Sequence, residues 1–321
     1  GGKADSLNAG INAARYPWFI CMDADSILQH DSLEKIVRPV LEDENVIAVG
    51  GSVRPANGVV IKKGHVIIYR VPRNIIARMQ SLEYDRSFLA ARILLDKINA
   101  NMIISGAFGL FEKKTVIAVG GYDSSTMGED MELVVRLHEF SRMNRKPYKI
   151  DFAQDAICWS QTPEKLSELG KQRKRWQRGL FQCMWGHRKM LANPRYGAVG
   201  LLSYIYFLFY ELLSPFIELF GILTMVLSVM MDMLNVKFML VFLACYALYG
   251  ILLTLTAYFS RIYTIDQRLS FRELILAIVA CFFETTFLRF YLAFVRVTAF
   301  VGYKKNKLNW GKLERKKMNG I

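Results

Sequence analysis

An abrupt change in composition limits what this chain can fold into. Residues 1–198 mix charged and apolar residues in short alternating runs, whereas residues 199–302 are dominated by Leu, Phe, Ile, Val, Met and Tyr. Hydrophobic residues make up 53% of the 321, and the excess sits in the second part. Residues 199–231 and 236–259 are each long enough to cross about 30 Å of hydrocarbon. The formal net charge of +14 would suit a nucleic-acid binder, but Lys and Arg gather at 165–195 and 304–317, on either side of the apolar region. Basic flanks beside membrane spans follow the positive-inside tendency and attraction to anionic lipid, and no nucleic-acid recognition motif accompanies the charge. Three arginines at 261–272 place that loop with the cytoplasmic side. Residues 273–302 contain Glu284, Arg289 and Arg296. A bent re-entrant hairpin and one tilted helix both fit them, and ionisable residues in such segments face a protein interior or a polar path.

Before residue 199 the pattern alternates between strands and helices. Residues 3–14 read as a helix, and 18–22 as a short apolar strand ending at Asp23. Asp31-Ser32-Leu33-Glu34 has the pattern of a capping box. Residues 46–49, 65–71, 102–111 and 148–159 read as extended, with helices at 74–98 and 130–141. Short apolar runs bounded by turn signals suit the strands of a buried parallel sheet in an α/β layer architecture. Thr162 and Pro163 have helix-start chemistry, so residues 162–191 form a basic helix with an apolar stripe including Leu169, Trp176, Leu180, Met184 and Trp185. Such a helix lies on a membrane surface. The five cysteines have no C-x-x-C spacing, which fits buried reduced thiols, and the four histidines have no zinc spacing.

Three clusters carry chemistry. Asp23-Ala24-Asp25 follows a strand, at the end of a sheet where ligands gather. If the chain stays extended, both carboxylates share a face and suit Mg2+ or Mn2+ bridging a diphosphate, although D-x-D alone also fits a cap beside a solvated Asp. Gly128-Glu129-Asp130 opens a helix, where a carboxylate can take a hydroxyl proton or simply favour the helix dipole. In Gln172-Arg173-Lys174-Arg175-Trp176, positions 172, 175 and 176 fall on one helix face and offer an amide, a guanidinium fork and a ring. Ser105-Gly106-Ala107-Phe108-Gly109 suits either close sugar approach or tight packing.

Acidic pair, acidic pair, Q-x-x-R-W and apolar helices, in that order, resemble the family 2 membrane glycosyltransferases, which include cellulose, hyaluronan, chitin and poly-N-acetylglucosamine synthases. The likeness covers most of residues 1–198. It implies an α/β fold, with a GT-A nucleotide-sugar-binding domain at 1–160, an amphipathic interfacial helix region at 161–198, a transmembrane region at 199–303 and a basic cytoplasmic tail at 304–321. Gly2-Lys3-Ala4-Asp5-Ser6-Leu7-Asn8 is similar to the family's G-K-x-x-x-L-N stretch, which makes Lys3 a nucleotide contact and leaves Asn8 to packing or capping. Through the resemblance Asp23 contacts the nucleotide sugar, Asp25 holds the metal, and Asp130 is the catalytic base. Gln172 and Arg175 serve the donor, while Trp176, Gly106, Phe108 and Glu129 serve the acceptor. Gly128 stands where the family often has Thr. Trp310-Gly311-Lys312 is similar to an element after the last family helix and reads as an interfacial anchor. Family members also carry earlier strands and leading membrane helices, so the chain is expected to be N-terminally incomplete.

The activity implied is metal-dependent, inverting transfer from a UDP-sugar to a growing β-linked polysaccharide at the cell membrane. The catalytic domain is cytoplasmic, membrane lipids and an accessory membrane subunit are partners, and a polymer path passes among the helices. Single addition to a glycolipid acceptor carries the same motifs. A non-catalytic nucleotide-binding transport or scaffold protein would bind UDP-sugar without turnover.

Overall fold

The computed structural model describes residues 2–233, 235–265 and 271–303. Its elements are α1 (Lys3–Ala13), β1 (Trp18–Met22), β2 (Ile27–Leu28), α2 (Ser32–Glu42), β3 (Val46–Pro55), β4 (Val59–Lys62), β5 (His65–Tyr69) and α3 (Ile75–Arg86). A π-helical turn at Ser87–Ala91 carries α3 into α4 (Arg92–Asp96), followed by β6 (Phe108–Glu112), α5 (Lys113–Ala118), α6 (Glu129–Met143), β7 (Lys149–Ser160) and α7 (Leu166–Gly186). The apolar part holds α8 (Tyr204–Tyr206) between two π-helical stretches, then α9 (Ser214–Met230), α10 (Val236–Ile265), α11 (Phe271–Phe283) and α12 (Arg289–Thr298).

A five-stranded sheet in the order β1-β6-β3-β7-β2 forms the centre, with β4 and β5 as a separate hairpin. The sheet is mixed and not parallel as expected. β6 runs antiparallel between β1 and β3, β2 is antiparallel to β7, and only β3 and β7 are parallel. β1, β3 and β7 therefore end on the same edge, where Asp23 follows β1. One face is covered through Ile11, Phe111, Leu133, Val134, Leu137 and Ile150, the other through Ile36, Val46, Val49, Phe108 and Leu110.

Several helix starts differ from the sequence reading. Asp31 makes no side-chain cap and instead pairs with Lys35 at 2.7 Å, while the Ser32 hydroxyl exchanges hydrogen bonds with the Ile157 backbone. The Thr162 hydroxyl donates to Asn57 Oδ1, so the chain stays irregular until α7 begins at Leu166. Asn74 caps α3, accepting from the Ile76 and Ala77 amides and donating to Glu164 O.

α7 packs against other elements on two sides. Leu169 packs with Met79, Leu82, Ala277 and Leu288, and Met184 packs with Met131, Met190, Tyr196 and Val199. Tyr291 donates to Leu166 O, Arg178 to Ala299 O, and Arg296 to Gln177 Oε1. α7 is thus clasped between the sheet domain and the apolar helices. Among the described residues two helical runs are long and apolar enough to cross a membrane by length and composition: Val199–Met230, with mean hydropathy 2.0, and Phe271–Thr298, with 1.7. The second is helical throughout, with a π-helical turn at Glu284–Leu288. α10 continues to Ile265, past the expected end of its span. The remainder of the arginine loop and the tail with Trp310-Gly311-Lys312 lie outside the described residues.

The tightest junction joins α6 to α7. A Cβ on Gly179 would stand 2.7 Å from Gly128 N and 2.8 Å from Gly128 Cα, so two backbones touch where side chains would normally separate them. Gln182, one turn on, accepts from the Met127 amide at 2.8 Å and from Thr126 Oγ1 at 3.1 Å. At an open helix position Gly→Ala would stabilise by about 1 kcal/mol. Gly179→Ala should instead lower stability by about 1–3 kcal/mol through overpacking, with the activity falling as α6 shifts. A thermal midpoint at or above wild type would show that the junction is loose.

His138 makes a second prediction. It is fully buried on α6 between Tyr148 Oη and Asn101 O, and burial pulls its pKa down to about 4. Between its unfolded value near 6.5 and about 4 the unfolded chain binds more protons, so stability is full above that window and falls as pH drops through it, by on the order of 3 kcal/mol. The midpoint measured from pH 7 to 4 should flatten in His138→Gln, and an unchanged slope would refute this account.

Candidate active site

The local folding of four segments brings the acidic clusters together. α1 starts at Lys3 and aims its ammonium at the end of β1, where Asp23 Oδ1 accepts at 2.7 Å. Glu129 Oε1, on the first residue of α6, lies 3.4 Å from the same nitrogen. Asp130 Oδ2 accepts from the Gly106 amide at 3.1 Å and Oδ1 from the Met131 amide at 2.8 Å, which fixes the carboxylate plane. A Cβ at position 106 would stand 2.9 Å from Lys3 Nζ and 3.4 Å from Asp130 Oδ2, so glycine here leaves both groups room to approach the backbone. Lys3, Asp23, Gly106, Glu129 and Asp130, from four parts of the chain, form one cluster at the edge where β1, β3 and β7 end.

The surrounding loops are held by polar contacts. Asn8 donates to Tyr122 O at 2.8 Å and accepts from the Tyr122 amide at 2.7 Å, the packing role expected for it. Gly120 and Gly121 both have positive φ, and Arg136 grips the turn through Val119 O and Gly121 O. This presents Gly128-Glu129-Asp130 at the start of α6.

Electrostatics divide the cluster. Burial works against the Lys3 ammonium, but Asp23, Glu129 and Asp130 outweigh it and hold the pKa above the ordinary lysine value. Burial, reinforced by the Asp130 charge, raises Glu129 above the ordinary carboxylate value, and Lys3 only partly opposes this. Glu129 thus sits above its ordinary value although it begins a helix, because desolvation and the Asp130 charge outweigh Lys3 and its backbone hydrogen bond.

Asp23-Ala24-Asp25 forms a turn, with the Ser26 amide donating to Asp23 O at 3.1 Å. The two carboxylates are thus not arrayed on an extended strand. Asp23 is engaged by Lys3 at 2.7 Å, and Asp25 is half-buried in the same turn. Among the described residues no group of three or more His, Cys, Asp or Glu is arranged to hold a metal ion. One hard carboxylate still fits Mg2+ or Mn2+, which take few protein ligands and complete their shells with phosphate oxygens and water.

Gln172, Arg175 and Trp176 lie on α7 at i, i+3 and i+4 as expected. Gln172 is buried, and its carboxamide oxygen has no hydrogen-bond partner among the described residues. Trp176 is 41% exposed, compared with 0% for Leu169 on the same helix, so the expected apolar stripe is split between a buried face and an open one. Phe108 is the clear correction. Its ring is fully buried, and a Cβ on Gly51 would lie 2.1 Å from it, so Phe108 fills the sheet core and offers no face to a sugar. Sequence reading also missed Arg173. It was counted as surface charge, yet it is 7% exposed, pairs with Glu83 Oε2 at 2.8 Å and lies 4.3 Å above the Trp176 ring. Its position beside Trp176 in a basic run gave no signal, because its partner is 90 residues away.

Poly-beta-1,6-N-acetyl-D-glucosamine synthase of Staphylococcus aureus (strain COL) is 31% identical over 192 residues, 60% of this chain and 40% of that protein. The Staphylococcus epidermidis synthase is 29% identical over the same length. The chain thus spans about two fifths of the length of these relatives. A mannosyltransferase from Pyrobaculum calidifontis, solved with GDP-Man and Mn2+, superposes with a TM-score of 0.52 at 19% identity, over 88% of this chain and 67% of that one, and so shares the fold. Residues 1–179 match Glycosyltransferase like family 2, and the chain belongs to that family of glycosyltransferases.

Proposed function

We propose that the chain is the catalytic portion of a membrane polysaccharide synthase, which transfers a sugar from a UDP-sugar to a growing β-linked chain with inversion at the anomeric carbon. The observation that carries this reading is the cluster of Lys3, Asp23, Gly106, Glu129 and Asp130. A glycosyltransferase needs a fixed carboxylate next to a diphosphate site, and an Asp130 carboxylate held by two amides close to a lysine supports that reading. The similarity to synthases that make a hexosamine polymer supports a polymer product and a hexosamine donor.

In this mechanism Lys3, Asp23, Gln172 and Arg175 hold the donor. The acceptor hydroxyl attacks the anomeric carbon, the bond to the UDP oxygen breaks, UDP leaves as the anion, and the hydroxyl proton passes to Asp130. The Gly106 and Met131 amides keep the Asp130 carboxylate oriented for that proton. Glu129 and the Gly106 backbone border the acceptor, and Trp176 stacks against its terminal sugar. A divalent ion at Asp25 would supply positive charge for the departing diphosphate.

The domain division at 160, 198 and 303 follows the same logic. A cytoplasmic domain at 1–160 is joined by the α7 region to apolar helices that cross the cell membrane in several passes, with a basic tail from 304. Anionic lipid next to the basic flanks and an accessory membrane subunit are the partners.

Asp130→Asn keeps the shape but removes the proton acceptor, so kcat should fall by about 10²–10⁴-fold while UDP affinity stays near wild type. A near-normal rate would move the base elsewhere, with Glu129 the first suspect. Asp25→Ala, or excess EDTA on the unaltered protein, should abolish transfer and weaken UDP binding. Full activity in EDTA would refute the metal role. The product separates polymer synthesis from single addition: a ladder of oligosaccharides or one added sugar on lipid.

A further inference from the structure

Burying a guanidinium is costly unless its hydrogen-bonding and electrostatic needs are met. Arg173 is 7% exposed on a helix whose neighbouring positions Lys171 and Lys174 stay in contact with solvent. Arg173 Nη2 pairs with Glu83 Oε2 at 2.8 Å, and among the described residues the buried Nε has no hydrogen-bond partner. The other face of the guanidinium lies 4.3 Å from the centroid of the Trp176 ring. A planar cation held at one edge by a carboxylate and laid on an indole fixes that ring's position and tilt, with the π-face serving where a second acceptor would stand. Glu83 is itself set by α3, which is tied to the apolar helices through a bidentate pair, Arg86 Nη1 and Nη2 to Glu284 Oε2 and Oε1 at 3.1 and 2.9 Å.

We infer that Glu83 and Arg173 are positioning residues that hold the Trp176 ring as the platform for the acceptor's terminal sugar, and so couple acceptor binding to the packing of α3 against α7. The inference rests on the transferase reading above but concerns the acceptor side alone. A plain staple between α3 and α7 would need only the ion pair. An acceptor platform also needs the cation over the ring, and this difference is what an experiment can read.

Full-length protein is assayed with UDP-N-acetylglucosamine and a short N-acetylglucosamine oligosaccharide. Glu83→Gln should raise the acceptor KM by about three- to thirtyfold, the size of a lost cation–π contact with its ion pair, and shorten the polymer. UDP affinity and UDP release without acceptor should stay unchanged. Arg173→Lys, which retains a cation but not the plane, should fall between wild type and Glu83→Gln. Glu83→Arg combined with Arg173→Glu restores the ion pair but puts a carboxylate on the ring, so the thermal midpoint should recover while the acceptor KM stays high. Recovery of both would reduce the pair to a staple and overturn the inference, as would a normal KM in Glu83→Gln. Acrylamide quenching of tryptophan emission gives a readout independent of turnover. Quenching should increase in Glu83→Gln, and the increase should vanish in a Trp176→Phe background. Absence of transfer by the unaltered protein would refute the function, whereas unchanged quenching would refute the positioning.

Discussion

The site depends on how closely two backbones can approach. Asp130 and Glu129 start one helix, Gln172, Arg175 and Trp176 ride another, and no single element carries both sets. The two helices meet where Gly128 and Gly179 lack side chains, and Gln182 ties the 126–128 loop to α7. Gly128 replaces the threonine common in the family, and the contact supplies a reason. A Cβ at 128 would already stand 3.1 Å from Gly179 backbone atoms. In this chain a small residue on each side of the junction does the work of alignment.

α7 is fixed with equal firmness on its other side. Tyr291, Arg296 and the Ala299 carbonyl, all on or next to the last described helix, bind α7 at Leu166, Gln177 and Arg178. These contacts span just over three turns of α7, so displacement of the apolar helices would tilt the Q-x-x-R-W face relative to the carboxylates. The sheet edge and the apolar helices form a vice, with the motif helix as the piece held in it.

Much of the site was legible in the sequence because its chemistry needs uncommon residue combinations. D-x-D after a strand, Glu-Asp at a helix start and Q-x-x-R-W can be seen with no knowledge of folding. What stayed hidden depended on distant partners. The antiparallel insertion of β6 between β1 and β3 is a long-range pairing that periodicity cannot reveal. The orientation of Phe108 was decided by a missing Cβ at Gly51, and Arg173 was drawn inward by Glu83. Thr162 had the right chemistry for a cap but found Asn57 first, and Asp31 found Lys35. At Thr162 a local propensity lost to a tertiary hydrogen bond, and at Asp31 to an i,i+4 ion pair, each satisfying the same polar group.

The acidic cluster has a consequence for selection at a distance. Asp23, Glu129 and Asp130 crowd negative charge around Lys3, although the sequence as a whole carries +14. On the proposed reading an anionic sugar nucleotide would meet an attractive body from afar, but within about one Debye length, roughly 8 Å in physiological salt, the carboxylates would weigh against it. A diphosphate that had already taken up a cation would then be favoured over a bare one at the last step. The net charge would recruit, and the acidic cluster would screen what had been recruited.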